Sequence, residues 1–147
     1  MSFPTGHIGI NVTNLARSRD FYIDVFGLQV LGESNGEKPF AFLGKGADIV
    51  FTLWQQSKGR FDTKTPGLHH LSFVAESMDA VRATESRLKK KGVKFTYDTI
   101  VPHAEGMDSG GIYFEDPDGV RLEIFAATGA KETAAPAGEL PSCGFFL

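Results

Sequence analysis

Polar and apolar residues alternate strictly near the start of the chain, over residues 7–12. Ile8, Ile10 and Val12 fall on one side of this alternation, and His7, Gly9 and Asn11 fall on the other. A period of two is typical of a β-strand with one buried face. Apolar residues then recur at helical spacing between Asn14, a favourable N-cap, and Gly27, a favourable helix terminator, so a helix is predicted there.

Three more strands are predicted in the first half of the chain, over residues 28–33, 40–43 and 48–55. A polar linker with Gly and Pro at its ends follows over residues 57–67. The linker separates this first group of elements from the rest of the chain.

The pattern begins again after the linker with an alternating strand over residues 70–75, headed by His70. A second helix is predicted from a cap at Ser77 or Asp79 to Gly92, with basic residues in its last turn. Strands over 93–97, 112–114 and 120–126 and a loop over 101–111 complete this half.

The two halves therefore repeat one β-α-β-β-β unit, and repeats of this kind determine the fold. We predict an α+β fold in which two tandem units, residues 5–56 and 68–127, form a curved mixed sheet within a single domain over 1–127. Residues 128–147 are rich in Ala, Gly and Pro and lack periodicity. They are predicted to form a C-terminal tail whose apolar end docks on a surface.

Composition narrows the class of protein. The 147 residues include 15 Lys and Arg against 18 Asp and Glu, a net charge of −3, which argues against a nucleic-acid or membrane binder. One cysteine allows no internal disulfide and no cysteine-rich zinc site, as expected in the cytoplasm. We find no secretory signal and no apolar run long enough to cross a membrane.

Candidate metal ligands occupy matching positions of the repeat. His7 and His70 head the first strand of each unit, on the face opposite its apolar residues. Glu123 faces the same way in the last strand of the second unit, and Thr52 is its counterpart in the first. Two imidazoles and one carboxylate form a facial set that suits Fe(II) and also accommodates Mn, Co, Ni or Zn. The sequence thus predicts a metal site at His7, His70 and Glu123.

Other side chains share this face and are candidates for substrate binding. They are Asn11, Thr52, Trp54, Ser72, Arg121 and Phe125. Trp54 and Phe125 are aromatic and suit a planar substrate, and Arg121 suits a carboxylate. His69 alternates to the other face and is predicted to have a structural or supporting role.

Three stretches of the chain resemble the vicinal oxygen chelate superfamily, which includes glyoxalase I, extradiol dioxygenases, fosfomycin-resistance proteins and bleomycin-binding proteins. They are HIGINVTNLARSRDFYIDVFGL, GLHHLSFVA and GGIYFEDPDGVRLEIF, and the resemblance spans about residues 5–127. It implies paired βαβββ modules, in agreement with the repeat, and metal ligands at His7, His70 and Glu123. It also implies a small substrate that chelates the metal through adjacent oxygens, and a homodimer.

The resemblance leaves more than one branch of the superfamily open. Glyoxalase I has a fourth ligand, a Glu, where this chain has Thr52, which weakens a glyoxalase-like lyase or epimerase. Extradiol dioxygenases have a Tyr ten residues before the ligand Glu and a His about nine residues earlier, and here Tyr113 and His103 stand near those positions. The favoured prediction is Fe(II)-dependent, extradiol-type chemistry with Tyr113 and His103 as catalytic residues. A non-catalytic protein that binds a drug or metabolite is the third alternative.

Overall fold

A computed structural model describes residues 1–146 of the chain; Leu147, the last residue of the predicted tail, lies outside them. The chain divides into two compact units, Met1–Phe61 and a second that runs from Asp62 onward. Within the described residues each unit contains one helix and one four-stranded sheet. This α+β architecture confirms the predicted fold class.

The first unit contains its elements in the predicted order. They are β1 (Ile8–Asn11), α1 (Leu15–Phe26), β2 (Gln29–Ser34), β3 (Phe40–Lys45) and β4 (Asp48–Trp54). The strand order in the sheet is β1-β4-β3-β2, in which β1 is parallel to β4 and the other pairs are antiparallel. The first strand and the last are therefore neighbours, so the side chains at paired positions of the two strands point to the same face of the sheet.

Local sequence explains where α1 begins and ends. The Asn14 side chain accepts a hydrogen bond from the Arg17 backbone N–H at 3.0 Å and so satisfies one of the free donors of the first turn. Gly27 ends the helix with φ of 62°, a left-handed conformation that glycine adopts without strain. Tyr22 lies on the buried face of the helix, and its ring centre is 4.7 Å from that of Phe51 in β4. This apolar packing leaves the opposite face of the sheet to Thr52 and to the rings of Phe42 and Trp54.

The second unit repeats the topology. Its elements are β5 (Leu71–Val74), α2 (Met78–Lys90), β6 (Val101–Pro102), β7 (Gly110–Glu115) and β8 (Arg121–Ala126). The strand order is β5-β8-β7-β6, again with a parallel pair between the first strand and the last. Ser77 caps α2, and its side chain accepts from the Ala80 N–H at 3.2 Å. The predicted repeat is thus present in the backbone.

One strand of the second unit is not where the alternation predicted it. Residues 93–97 form only a bridge between Phe95 and Phe114, while β6 lies inside the segment predicted as a loop. The chain follows the edge of β7 in two pieces, first where Thr96 N donates to Tyr113 O and then where Val101 pairs with Gly111. A bend over residues 96–99 interrupts the pairing between them. The prediction was wrong here because an alternating pattern does not reveal where a bend divides a strand.

The tail after β8 contains turns in the part that the structure describes. It returns to the β6–β7 hairpin, where Ser142 is fully buried and its Oγ donates to the Pro102 carbonyl at 2.7 Å. Among the described residues, neither helix has the length and apolar character needed to cross a membrane.

Candidate metal and catalytic site

The sheet register fixes which residues of the two units are equivalent. In the first unit Gly9 of β1 pairs with Thr52 of β4, and in the second Ser72 of β5 pairs with Glu123 of β8. Gly9 and Ser72 each stand two residues after a histidine, His7 or His70. Thr52 and Glu123 therefore occupy matching positions.

The carboxylate of Glu123 is the centre of a polar cluster in the second unit. Its side chain is 2% exposed, and its two oxygens have different neighbours. Oε1 lies 2.6 Å from His103 Nε2 and accepts a hydrogen bond from the Tyr113 hydroxyl at 3.0 Å. Oε2 lies 3.4 Å from His70 Nε2. The two carboxylate oxygens thus have different environments: Oε1 accepts hydrogen bonds, and Oε2 faces the imidazole of His70.

A hairpin places Tyr113 beside Glu123. The two residues are ten apart in sequence and pair directly across β7 and β8. Between the strands, Asp116 Oδ1 accepts from the backbone N–H groups of Asp118 and Val120 at 2.9 and 2.8 Å. This side-chain turn sets the register, because residues opposite each other across a hairpin are determined by the turn that joins them.

The surroundings of Glu123 keep it ionised although it is buried. Burial alone would raise the pKa of its carboxyl, but hydrogen bonds from His103, Ser72 and Tyr113 outweigh that effect and hold the pKa below its usual value. Burial and the neighbouring carboxylate raise the pKa of the Tyr113 phenol far above its usual value. Tyr113 is therefore a permanent hydrogen-bond donor.

The His70 ring has one nitrogen engaged and the other directed at Glu123. Its Nδ1 lies 2.8 Å from Nδ1 of His69. Partial burial lowers the pKa of His70, which favours the neutral imidazole that metals bind. The contact with His69 fixes the orientation of the His70 ring, as contacts to the second ring nitrogen do in metal-ligating histidines. The adjacent pair of histidines was the sequence signal for this arrangement.

His103 reaches the carboxylate from the loop that joins β6 to β7. Its Nδ1 lies 2.8 Å from Ser109 Oγ at the other end of that loop, and its Nε2 lies beside Glu123. Phe125 packs edge-on against the imidazole with ring centres 5.0 Å apart. Ser109 escaped sequence reasoning because its position depends on the closure of the loop.

The predicted residues of the first unit have other neighbours. His7 is exposed directly before β1. Asn11 Oδ1 accepts from the Gln56 backbone N–H at 3.0 Å, and Thr52 Oγ1 accepts from Trp54 Nε1 at 3.1 Å. Both polar side chains are therefore used within the unit. Trp54 also packs against the rings of Phe40 and Phe42.

His70 and Glu123 fit the role of metal ligands as a pair. Metal–ligand bonds of about 2.1 Å put neighbouring donors about 3 to 3.5 Å apart, and Glu123 Oε2 and His70 Nε2 are 3.4 Å apart. In residues 1–146, no group of three or more His, Cys, Asp or Glu side chains is placed to hold a metal ion. The ligand set His7, His70 and Glu123 therefore remains a prediction.

Arg121 and the tail complete the surroundings of the cluster. The Arg121 guanidinium carbon lies 4.6 Å from the ring centre of Phe146, which is also stacked on His69 with ring centres 5.5 Å apart. The sequence predicted that the apolar end of the tail docks on a surface, but it did not indicate which surface.

Comparison with known proteins identifies the family. The model of the Glyoxalase/Bleomycin resistance protein/Dioxygenase superfamily matches residues 5–124. The chain belongs to this superfamily. The vicinal oxygen chelate proteins therefore supply the comparison for both the fold and the site.

Relatives in this superfamily have different activities. A trivalent organoarsenical cleaving enzyme of Bacillus sp. (strain MD1) is 28% identical over 81% of this chain and 70% of its own length. Catechol-2,3-dioxygenase of Bacillus subtilis (strain 168) is 23% identical over 82% of this chain, which spans 40% of that enzyme. A lactoylglutathione lyase of Neisseria meningitidis (strain MC58) is 28% identical over 88% of this chain and 94% of its own length.

A solved structure shares the fold. The glyoxylase/bleomycin resistance protein/dioxygenase domain from Frankia sp. EAN1pec superposes with a TM-score of 0.71 at 27% identity, covering 86% of this chain and 98% of that one. Members of this superfamily include dioxygenases, glyoxalases and fosfomycin-resistance proteins. Proteins of this superfamily therefore catalyse several different reactions, and membership alone does not identify the reaction of this chain. That assignment depends on the residues of the site.

Proposed function

We propose that the protein is a divalent-metal-dependent enzyme with extradiol-dioxygenase-like chemistry, acting on a small substrate that has two adjacent oxygens. The proposal depends on one observation, which is that the two carboxylate oxygens of Glu123 have different neighbours. Oε2 is directed at His70, as a ligand pair requires, while Oε1 is held by His103 and Tyr113. A metal-binding pair and two hydrogen-bonding groups thus meet at one carboxylate.

The metal would be held by His70 and Glu123, with His7 as the proposed third ligand. Fe(II) is favoured, because two imidazoles and one carboxylate leave open positions at this ion, which when bound supplies the redox chemistry that activates O₂. Mn, Ni, Co and Zn are the alternatives.

His103 and Tyr113 have distinct proposed roles. The His103 imidazole can hold or pass a proton at Nε2, and its Nδ1 contact with Ser109 keeps that nitrogen beside Glu123. Tyr113 keeps its proton and serves to orient an oxygen by donating a hydrogen bond. We assign His103 to proton movement and Tyr113 to orientation.

Thr52 distinguishes this proposal from a glyoxalase-like lyase or epimerase. The position equivalent to Glu123 in the first unit holds a hydroxyl that accepts a hydrogen bond from Trp54, rather than a carboxylate. A lyase of that type needs a second carboxylate to move the substrate proton. A non-catalytic drug-binding protein would have no need of the paired His70 and Glu123. Both alternatives are outcomes of the test below.

The test is metal content followed by oxygen uptake. Protein loaded anaerobically with Fe(II) and freed of excess metal is expected to retain one iron per chain and to consume O₂ when catechol is added. A trivalent organoarsenical is a second probe, because the Bacillus sp. relative is named as an enzyme that cleaves compounds of this class. His70→Ala is expected to lose the iron and Tyr113→Phe to keep it.

Two results would overturn the proposal. Bound iron without O₂ uptake, together with turnover of a hemithioacetal, would establish the lyase alternative. Absence of bound metal, with tight binding of a planar drug that His70→Ala leaves unchanged, would establish the binding protein.

A further inference from the structure

The end of the tail is anchored beside the Glu123 cluster. The single proton of the Tyr97 hydroxyl is shared between the carbonyl of Ser142, at 2.9 Å, and that of Phe145, at 3.1 Å. The Ser142 backbone N–H donates to the His103 carbonyl at 2.7 Å. The segment is therefore fixed to the same loop that carries His103.

Phe146 lies against residues of the candidate site itself. Its ring centre is 5.8 Å from that of Tyr113 and 6.3 Å from that of His70, in each case with the rings steeply inclined. On another side it is stacked on His69 and lies under the guanidinium of Arg121. Imidazole, phenol and guanidinium groups together suit a planar, electron-rich ring. The tail supplies such a ring.

The neighbouring residue shows that this placement belongs to Phe146 in particular. Phe145 is 50% exposed and contributes its carbonyl to Tyr97. Phe146 and Cys143 instead pack against the buried cluster of Tyr97, Val101 and Tyr113. Two consecutive phenylalanines thus have opposite environments, and they form a matched pair for mutation.

We propose that the segment 142–146 is an autoinhibitory plug, in which Phe146 occupies the position that the ring of an aromatic substrate takes beside Glu123. The inference rests on the proposed function, because it assigns that site an aromatic substrate. A ring that approaches His70 and Tyr113 from this side meets Phe146 and must displace it. Release is feasible because the segment is held by hydrogen bonds between neutral groups, ring contacts and the Arg121 guanidinium over Phe146, for which water and the ring of the substrate can substitute.

Cys143 provides a reporter that is independent of catalysis. It is the one cysteine of the chain, and its thiol packs against the Tyr97 and Tyr113 cluster, where burial raises its pKa. Both effects slow alkylation while the tail is docked. In metal-free protein, Phe146→Ala should speed alkylation of Cys143 by iodoacetamide about three- to tenfold, the factor that aromatic contacts of this kind correspond to. Phe145→Ala should leave the rate near that of the wild type.

The competition is measured with 4-nitrocatechol under anaerobic conditions on the Fe(II)-loaded full chain. Phe146→Ala should bind this probe about three- to tenfold more tightly than wild type, and Phe145→Ala should match wild type. The probe should also speed alkylation of Cys143 in the wild type, because it releases the tail. A chain ending at residue 140 should bind as tightly as Phe146→Ala.

The outcomes separate this inference from the proposed function. Equal alkylation rates in the two phenylalanine variants overturn the plug, as does equal 4-nitrocatechol affinity, including a failure of every variant to bind it. Tighter binding by Phe146→Ala without O₂ uptake in any variant supports the plug and overturns the proposed oxygen chemistry.

Discussion

The two units have one topology but different side chains at the matching positions on their polar faces. At the centre of the first, Phe42 of β3 pairs with Thr52 of β4, and at the centre of the second, Tyr113 of β7 pairs with Glu123 of β8. The change from phenyl to phenol adds a hydrogen-bond donor, and the change from hydroxyl to carboxylate adds a negative charge. The comparison indicates that the repeat supplies a common scaffold, on which the second unit carries a buried carboxylate surrounded by hydrogen-bond donors.

The aromatic surroundings of the two faces also differ. The first unit has a cavity of about 570 Å³ lined in part by Phe40 and Trp54. In the second unit the tail brings in an aromatic ring of its own, Phe146, over His69 and beside Tyr113. Aromatic rings thus line a cavity in the first unit and pack against the ring of Phe146 in the second.

The largest effect is expected from substitution of Glu123, compared with substitution of Thr52 at the matching position. Glu123→Gln keeps the shape of the side chain but removes the charge that a cation requires, so affinity for Fe(II) should fall by at least about 100-fold. Thr52→Val at the matching position should leave the affinity within about threefold. Titration of each protein against a chelating indicator measures both. Equal losses in the two variants would contradict the assignment of the metal to Glu123.

The next largest effect is expected from a substitution that makes the second unit resemble the first. Tyr113→Phe removes the hydroxyl that donates to Glu123 and gives β7 the residue type that β3 has at Phe42. The rate of O₂ uptake with catechol should fall by about 10- to 100-fold, since an orienting hydrogen bond is lost where charge develops. Iron content should be unchanged, which separates loss of orientation from loss of metal. A wild-type rate would show that the phenol has no part in the reaction.

A smaller effect concerns the support of His103. Ser109→Ala leaves the imidazole in place but removes the contact to Nδ1, so the O₂-uptake rate should fall by a few-fold, as expected for a net hydrogen bond of about 1 kcal/mol. Ser109→Thr keeps the hydroxyl and should restore most of the rate. If Ser109→Ala and Ser109→Thr behave alike, the hydroxyl does not position His103.

These residues also show how far sequence determines the site. Alternation within each strand is local, and together with the repeat it predicted that His70 and Glu123 share a face, while the ten-residue spacing of Tyr113 from Glu123 was notable only through the family resemblance. The hairpin at Asp116 explains why that spacing brings the two side chains together. The contact between His103 and Glu123 depends on where β6 begins, which the bend over residues 96–99 decides. The position of Phe146 depends on contacts across about fifty residues, as between Tyr97 and Phe145. Periodicity holds no information on contacts of that kind.

The smallest expected effect concerns the residues that cap the two helices. It tests whether the two units are stabilised by the same local interactions. Asn14→Ala and Ser77→Ala each remove the side-chain acceptor at the start of a helix, at matching positions of the two units. Each should lower the free energy of unfolding by about 1 kcal/mol, since the first turn of either helix loses one hydrogen bond. Urea unfolding measures the loss, and iron affinity should stay unchanged in both variants because neither cap contacts the Glu123 cluster. A loss confined to one helix would mean that the units share a topology without sharing the local interactions that maintain it.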